Sequence, residues 1–216
     1  PLDEKKGQRY PLILYVHGGP ESHHSNGWLT NYGDPAQTAA ARGFAVMHTN
    51  YRGSTGRGTA FARLSQADAA GKEFDDLIDA IDHLIASGLV DKERVAVTGG
   101  SYGGYATLWG VTNTPERFAC GVARVAPSNL QTLIASIPPY WEPMKKLFAV
   151  RVGDLETEEE FLKSRSPLFK ADRIKIPLLI AQGKNDPRVK QAESEQIVAA
   201  MKKAGKPVEY MLFEDE

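Results

Sequence analysis

The run VAVTGGSYGG, Val95 to Gly104, decides how this chain is read. Val95 to Val97 is a short run of valine and alanine of the kind that fills a buried strand. Gly99-Gly100-Ser101-Tyr102-Gly103 follows as G-x-S-x-G, and Tyr105, Leu108 and Trp109 then recur at helical spacing. The pattern is strand, sharp turn and helix, with a serine at the apex. The glycines on either side have a physical reason. The turn presses the serine into a strained backbone conformation, and side chains two residues away would collide with the strand and the helix. Such a turn lifts Oγ clear of the sheet and leaves the N–H of Tyr102 facing an oxyanion at a helix N-terminus. The plainer alternative is a glycine-rich turn whose serine merely caps the helix.

Upstream, Tyr10 to His17 (YPLILYVH) is an apolar run ending in Gly18-Gly19-Pro20. Glycine backbones there could aim unobstructed N–H groups at an anion, although Gly-Gly-Pro also makes an ordinary strand-ending turn. Glu21 to Gln37 is polar, and its paired His23 and His24 read as exposed loop histidines, because adjacent residues rarely chelate one ion. A helix over Pro35 to Arg42 closed by Gly43, and a second strand over Phe44 to Thr49, come next. The loop Asn50 to Gly58 has the glycine spacing of neither a dinucleotide fingerprint nor a P-loop. Tyr51 and Arg52 follow directly on a strand, where α/β folds place substrate contacts; a solvated turn is the competing reading. Phe74, Leu77, Ile78, Ile81, Leu84 and Ile85 predict an amphipathic helix stopped at Gly88, with Asp75, Asp76, Asp79 and Asp82 as its solvated face.

Downstream, Gly121 to Ala126 is a fourth strand. Residues from about 130 to 170 then lack any strand pattern and suggest an inserted helical segment lying over a site. Within it, Thr157 and Glu160 fit a capping box. Tyr140 and Trp141 either line the pocket or are packing aromatics. Leu178 to Gln182 is a fifth strand running into Gly183-Lys184-Asn185-Asp186. A helix marked by Ile197, Ala200, Met201 and Ala204, with Gly205 after it, precedes a sixth strand at Val208 to Phe213.

Strands alternating with helices at spacings too long for hairpins predict an α/β fold: a mostly parallel sheet with helices on both faces, whose ligand crevice lies at the carboxyl ends of the strands. The 216 residues suit one domain, and 42% hydrophobic residues suffice for a core. The net charge of -1, with both signs interspersed, implies no nucleic-acid or membrane-surface partner. The longest apolar runs fall well short of the ~18 residues of a membrane span. The single cysteine, Cys120, excludes an internal disulfide and a cysteine-based zinc site, and it reads as a buried inert thiol. No metal is expected, and a cytoplasmic protein is.

A serine hydroxyl needs a histidine base, and the histidine needs a carboxylate to fix its tautomer. In the order Ser…Asp…His, Asp186 is well placed one short turn beyond a buried strand, whereas its rivals Asp154 and Asp172 follow no apolar strand. Asp186 could otherwise cap the helix after it. All five histidines, His17, His23, His24, His48 and His83, precede Ser101. His17 sits among glycines and suits a structural role better than that of a base.

HGGP at His17 to Pro20, NYRGS at Asn50 to Ser54, GGSYGG at Gly99 to Gly104 and GKNDPRV at Gly183 to Val189 together resemble the prolyl oligopeptidase family. IPPYWEP at Ile137 to Pro143 and SPL at Ser166 to Leu168 look like its acylaminoacyl-peptidase and dipeptidyl-peptidase-like branch. The resemblance implies an α/β-hydrolase catalytic domain with Ser101 as nucleophile and Asp186 as the acid orienting a histidine. The oxyanion donors would be the N–H groups of Gly19 and Tyr102. It implies cleavage of short peptides through an acyl-enzyme without a cofactor, in a complete protein that could form homo-oligomers. Two departures matter. Nothing corresponds to the family's N-terminal β-propeller, and its E-G-H-G-F segment carrying the base would begin about where Glu216 stands. The chain is therefore expected to be a catalytic-domain fragment, incomplete at both ends and poorly active alone. Two alternatives stay open: a carboxylesterase of the same fold, and a non-catalytic binding or assembly module.

Overall fold

The structure, a computed structural model, describes residues 1–27 and 33–216. Residues 28–32, part of the polar stretch between Glu21 and Gln37, lie outside the described residues. Among the described residues, six strands form one sheet: β1 (Tyr10–Val16), β2 (Ala45–His48), β3 (Val90–Gly100), β4 (Cys120–Arg124), β5 (Leu178–Gly183) and β6 (Val208–Phe213). Their order is β2-β1-β3-β4-β5-β6, and every pairing is parallel. The helices are α1 (Ala36–Ala41), α2 (Thr59–Ala62), α3 (Lys72–Ala86), α4 (Tyr102–Asn113), α5 (Leu130–Ala135), α6 (Glu142–Arg151), α7 (Glu159–Ser164) and α8 (Gln191–Lys203). Short 3-10 turns at Pro115–Arg117, Pro139–Trp141 and Pro167–Arg173 join them.

The third strand begins earlier than the apolar run suggests. Val90 pairs with Tyr10 and Val95 with Leu12, so the charged residues Asp91 to Arg94 bulge out between two regular pairs. The bulge leaves the Val95 to Gly100 stretch in uninterrupted register with both neighbours.

One sheet face carries Leu12, Leu14, Val16, Val95, Val97, Ala123, Leu178 and Ile180, all buried. Alternate residues such as Tyr15, Thr98, Val122 and Leu179 are only half-buried, which is the two-residue period of strands with unequal covering. Helix α4 lies on the buried face against β1, β3 and β4, and all its residues from Tyr102 to Thr112 are buried. A helix enclosed on every side needs apolar residues all round, which is what Tyr105 to Val111 supplies. Helix α3 packs Phe74 beside Gly110 of α4, where a β-carbon would come within 3.1 Å of the ring. Helix α8 covers β5 and β6, while α1 contacts β2.

The capping box at Thr157 does not form. Asp154 Oδ1 instead accepts the Thr157 N–H and hydroxyl, and α7 starts only at Glu159. The local turn around Asp154 outcompetes the cap, because its carboxylate satisfies three donors, the third being the Glu156 N–H.

Candidate active site

Ser101 has φ 56° and ψ −120°, a left-handed backbone that L-residues rarely adopt. The strand pairing of β3 ends at Gly100, and the Ser101 N–H still donates to the Arg124 carbonyl at 3.0 Å, so the sheet holds the turn from below. Helix α4 starts at the next residue, and the Ser101 carbonyl accepts the Tyr105 N–H at 2.9 Å. The serine itself is exposed while every residue after it in the helix's first two turns is buried. This is the strand–turn–helix geometry expected from the glycine spacing, and its effect is to hold one hydroxyl clear of a packed core.

The HGGP loop closes against that turn. A β-carbon on Gly18 would lie 2.9 Å from the Gly100 carbonyl and 3.4 Å from the Ser101 β-carbon. Gly19 has φ +128°, and a β-carbon there would meet the Glu21 backbone nitrogen at 2.4 Å. Gly19, Ser101 and Tyr102 line one cavity of about 360 Å³ with Leu133, Ile137, Trp141, Met144 and Phe148. Tyr102 opens α4, so its N–H is one of the first-turn donors that have no acceptor within the helix. The strand-free residues after 130 therefore supply the apolar wall facing the serine. Five of the lining residues come from α5, α6 and the turn between them.

Asp186 is placed by its own loop. Its Oδ1 accepts the N–H groups of Arg188 at 2.8 Å and Val189 at 3.0 Å. Asp186 lines a second, open cavity of about 630 Å³ together with Arg124, Asn185 and Glu216. Arg188 borders both cavities and stacks over Trp141 at 4.9 Å. Ser101 follows β3 and Asp186 follows β5, and each lines a cavity that Arg188 also borders.

Three candidate substrate contacts are not at the cavity. Tyr51 is buried behind the HGGP loop, stacked on His17 at 4.4 Å, with its hydroxyl donating to the His17 carbonyl at 3.0 Å. Arg52 pairs with Asp76 through two side-chain hydrogen bonds, of 2.9 and 2.5 Å. Asp76 is accordingly not a solvated carboxylate, and Arg52 holds its pKa down against the opposing effect of burial. Tyr140 points into solvent, 72% exposed, while its neighbour Trp141 lines the cavity. Adjacent residues of a 3-10 turn point about 120° apart, so one aromatic of such a pair faces in and the other out.

The histidines hold the loop rather than the serine. His17 has Nδ1 2.8 Å from the Gly18 carbonyl and Nε2 2.8 Å from Ser54 Oγ, and burial lowers its pKa. His24 is not an exposed loop residue. It packs edge-on against Tyr15, His17 and His48, and burial with the two neighbouring imidazoles pushes its pKa down to about 4. His48 reaches Asp34 at 3.4 Å. Among the described residues, no group of three or more His, Cys, Asp or Glu side chains is arranged to hold a metal ion. Cys120 is half-buried on β4, with burial pushing its thiol pKa up.

The structure also brings in residues that were not singled out from the sequence. Glu73 is buried, accepts the Tyr102 hydroxyl and the Ala70 N–H, and has a raised pKa caused first by burial. A signal existed: Glu73 falls on the same stripe as Leu77 and Ile81, spaced by four. Arg151, Met144, Phe148 and Arg188 carried no comparable pattern.

Comparison with known proteins places this architecture. Residues 31–216 match the prolyl oligopeptidase family. The chain is 52% identical over 216 residues to dipeptidyl aminopeptidase BIII of Pseudoxanthomonas mexicana, covering 99% of this chain and 31% of that protein. Among solved structures it resembles a Mycobacterium tuberculosis puromycin-hydrolyzing peptidase, at 31% identity and a TM-score of 0.88, over 97% of this chain and 31% of the other. It also resembles the Pyrococcus horikoshii acylaminoacyl peptidase, at 29% identity and a TM-score of 0.88, over 99% and 34%. The chain spans about a third of the length of the relatives it matches. These neighbours are peptidases of α/β-hydrolase fold, which is the fold of this chain.

Proposed function

Because the chain belongs to the prolyl oligopeptidase family, we propose that it forms the catalytic domain of a serine peptidase hydrolysing short peptides through an acyl-enzyme. The observation that carries this reading is the strained, exposed Ser101 opening into an apolar cavity beside Gly19 and Tyr102. In the proposed reaction Ser101 Oγ attacks the scissile carbonyl carbon and its proton passes to a histidine. The oxyanion accepts from the N–H groups of Gly19 and Tyr102, which lie where negative charge develops. The histidine returns the proton to the leaving amine, and water then hydrolyses the Ser101 ester by the reverse sequence. Asp186 orients the histidine.

None of the five histidines in these 216 residues serves as the base in this scheme. His17, the one nearest the serine loop, is engaged with Ser54 and Gly18. We therefore propose that a histidine outside these 216 residues supplies the base. The cavity wall of Leu133, Ile137, Trp141, Met144 and Phe148 favours an apolar residue on the acyl side of the cleaved bond. The 52% identical relative carries the name of a dipeptidyl aminopeptidase, which supports release of residues from a peptide's N-terminal end. No cofactor enters the scheme, and the proposed location is the cytoplasm.

The test uses the full-length natural protein. A fluorophosphonate should label Ser101 stoichiometrically, and Ser101→Ala should abolish labelling. A free dipeptidyl anilide, an acyl-alanyl anilide and a short-chain ester then separate the substrate classes. Faster turnover of either anilide supports a peptidase, whereas turnover of the ester alone identifies a carboxylesterase. No labelling and no turnover would leave a non-catalytic module.

A further inference from the structure

Arg151, the last residue of α6, is 2% exposed although it carries a charge. A buried guanidinium is costly unless it is paired. Its Nε lies 3.3 Å from a carboxylate oxygen of Glu21, and its Nη1 donates to the Ser65 hydroxyl. Glu21 stands two residues beyond Gly19, in the loop that presses on the Ser101 turn. The charge of Arg151 also acts on Glu73, which accepts the hydroxyl of Tyr102 and the Ala70 N–H. One guanidinium thus ties the loop that follows Gly19 to the end of α6.

The surroundings are shaped to admit it. A β-carbon on Gly53 would fall 1.9 Å from Ser65 Oγ and 2.8 Å from the Arg151 guanidinium. The glycine of NYRGS is therefore required by the arginine as well as by its own φ of +91°. Arg151 also lies one turn after Phe148 on α6, and Phe148 and Met144 line the cavity facing Ser101. A displacement of α6 by a bound side chain would act on Glu21 through the guanidinium.

We propose that Arg151 is a positioning residue that sets the spacing of the two oxyanion donors by holding Glu21, two residues beyond Gly19, and couples that spacing to occupancy of the apolar cavity. The proposal rests on the serine-peptidase reading. A purely structural arginine would instead affect stability alone.

The experiment compares Glu21→Gln, Arg151→Lys and Arg151→Met with wild type in the full-length protein. Glu21→Gln and Arg151→Lys should each lower kcat by about 10-fold, a fraction of the loss seen when an oxyanion donor is removed outright. KM should stay near the wild-type value, while Tm should fall in both, because each change leaves a buried charge less completely paired. Affinity for a peptide boronate, whose serine adduct is tetrahedral, should weaken by the same factor as kcat, while binding of a non-covalent product peptide stays unchanged. The double variant Glu21→Gln/Arg151→Lys should be no slower than the slower single variant, because both break one link. Arg151→Met should be slower still; if it does not fold, the half-exposed, isosteric Glu21→Gln carries the test. Wild-type kcat and boronate affinity in Glu21→Gln and Arg151→Lys would overturn the proposal. So would a kcat loss matched by equal weakening of product binding. A wild-type protein that neither labels with fluorophosphonate nor turns over any substrate would overturn the underlying reading, and the proposal with it.

Discussion

Gly103 of α4 lies so close to the end of β1 that a β-carbon on it would stand 2.1 Å from the Val16 carbonyl oxygen. The same carbonyl would be 2.6 Å from a β-carbon on Gly99. Backbone on both sides of the Ser101 turn is thus packed directly against backbone of β1, with no side chain that could swing aside. Gly103→Ala is expected to cost about 3 kcal/mol or more, as core overpacking against immovable atoms does. Gly205→Ala, with open space around its β-carbon but φ +66°, should cost only about 1 kcal/mol. Urea denaturation midpoints of the two variants check the difference, and equal midpoints would contradict it.

The backbone strain at Ser101 is itself measurable. A non-glycine residue at φ 56°, ψ −120° costs about 1–3 kcal/mol. Ser101→Gly should therefore unfold at higher denaturant than wild type by about 1 kcal/mol, net of the flexibility glycine adds to the unfolded chain. Ser101→Ala should show no such gain, and both variants should be inactive. A destabilised Ser101→Gly would show that the turn stores no strain.

Asp186→Asn separates geometry from charge. The asparagine Oδ1 can keep accepting the N–H groups of Arg188 and Val189, so the loop should hold and Tm should move little. If Asp186 orients the base, kcat of the full-length protein should fall by about 10⁴. A loss below tenfold would remove Asp186 from the reaction.

The imidazole cluster makes stability fall in mild acid. His24, faced by His48, His17, Asp34 and Tyr15, titrates near 4 instead of 6.5 because burial and the neighbouring imidazoles disfavour its charge. A base with a lowered folded pKa binds fewer protons folded than unfolded. Its contribution is complete above pH 6.5 and is lost as pH falls toward 4. Denaturation midpoints should drop between pH 7 and pH 5, and His24→Gln should shrink that drop. The buried His17 shifts the same way and should account for part of what remains. An unchanged pH dependence in His24→Gln would exclude His24 as a contributor.

Much of the fold was legible in the chain because its causes are local. Val208 to Phe213 was bounded to the residue, and the helix around Leu77 and Ile81 was found from its apolar stripe. The Ser101 turn was legible for the same reason: its glycines exist to relieve collisions within a few residues of the serine. Where two local devices competed, the sequence was ambiguous, and Asp154 took the donors that Thr157 was expected to organise.

The sequence by itself thus determined the six strands, the serine at the apex and the acid beyond β5, since periodicity and glycine placement act over short distances. Tertiary structure alone decided which polar groups face the cavity and which are consumed inside the protein. Tyr51 and Arg52 followed a strand as site residues do, yet one is stacked on His17 and the other neutralises Asp76. Glu73 and Arg151 look like surface charges in their own stretches. Their burial depends on Glu21, Ser65 and Tyr102, brought from distant parts of the chain. A charge can leave water only where such partners meet it, and no short stretch of sequence records that meeting.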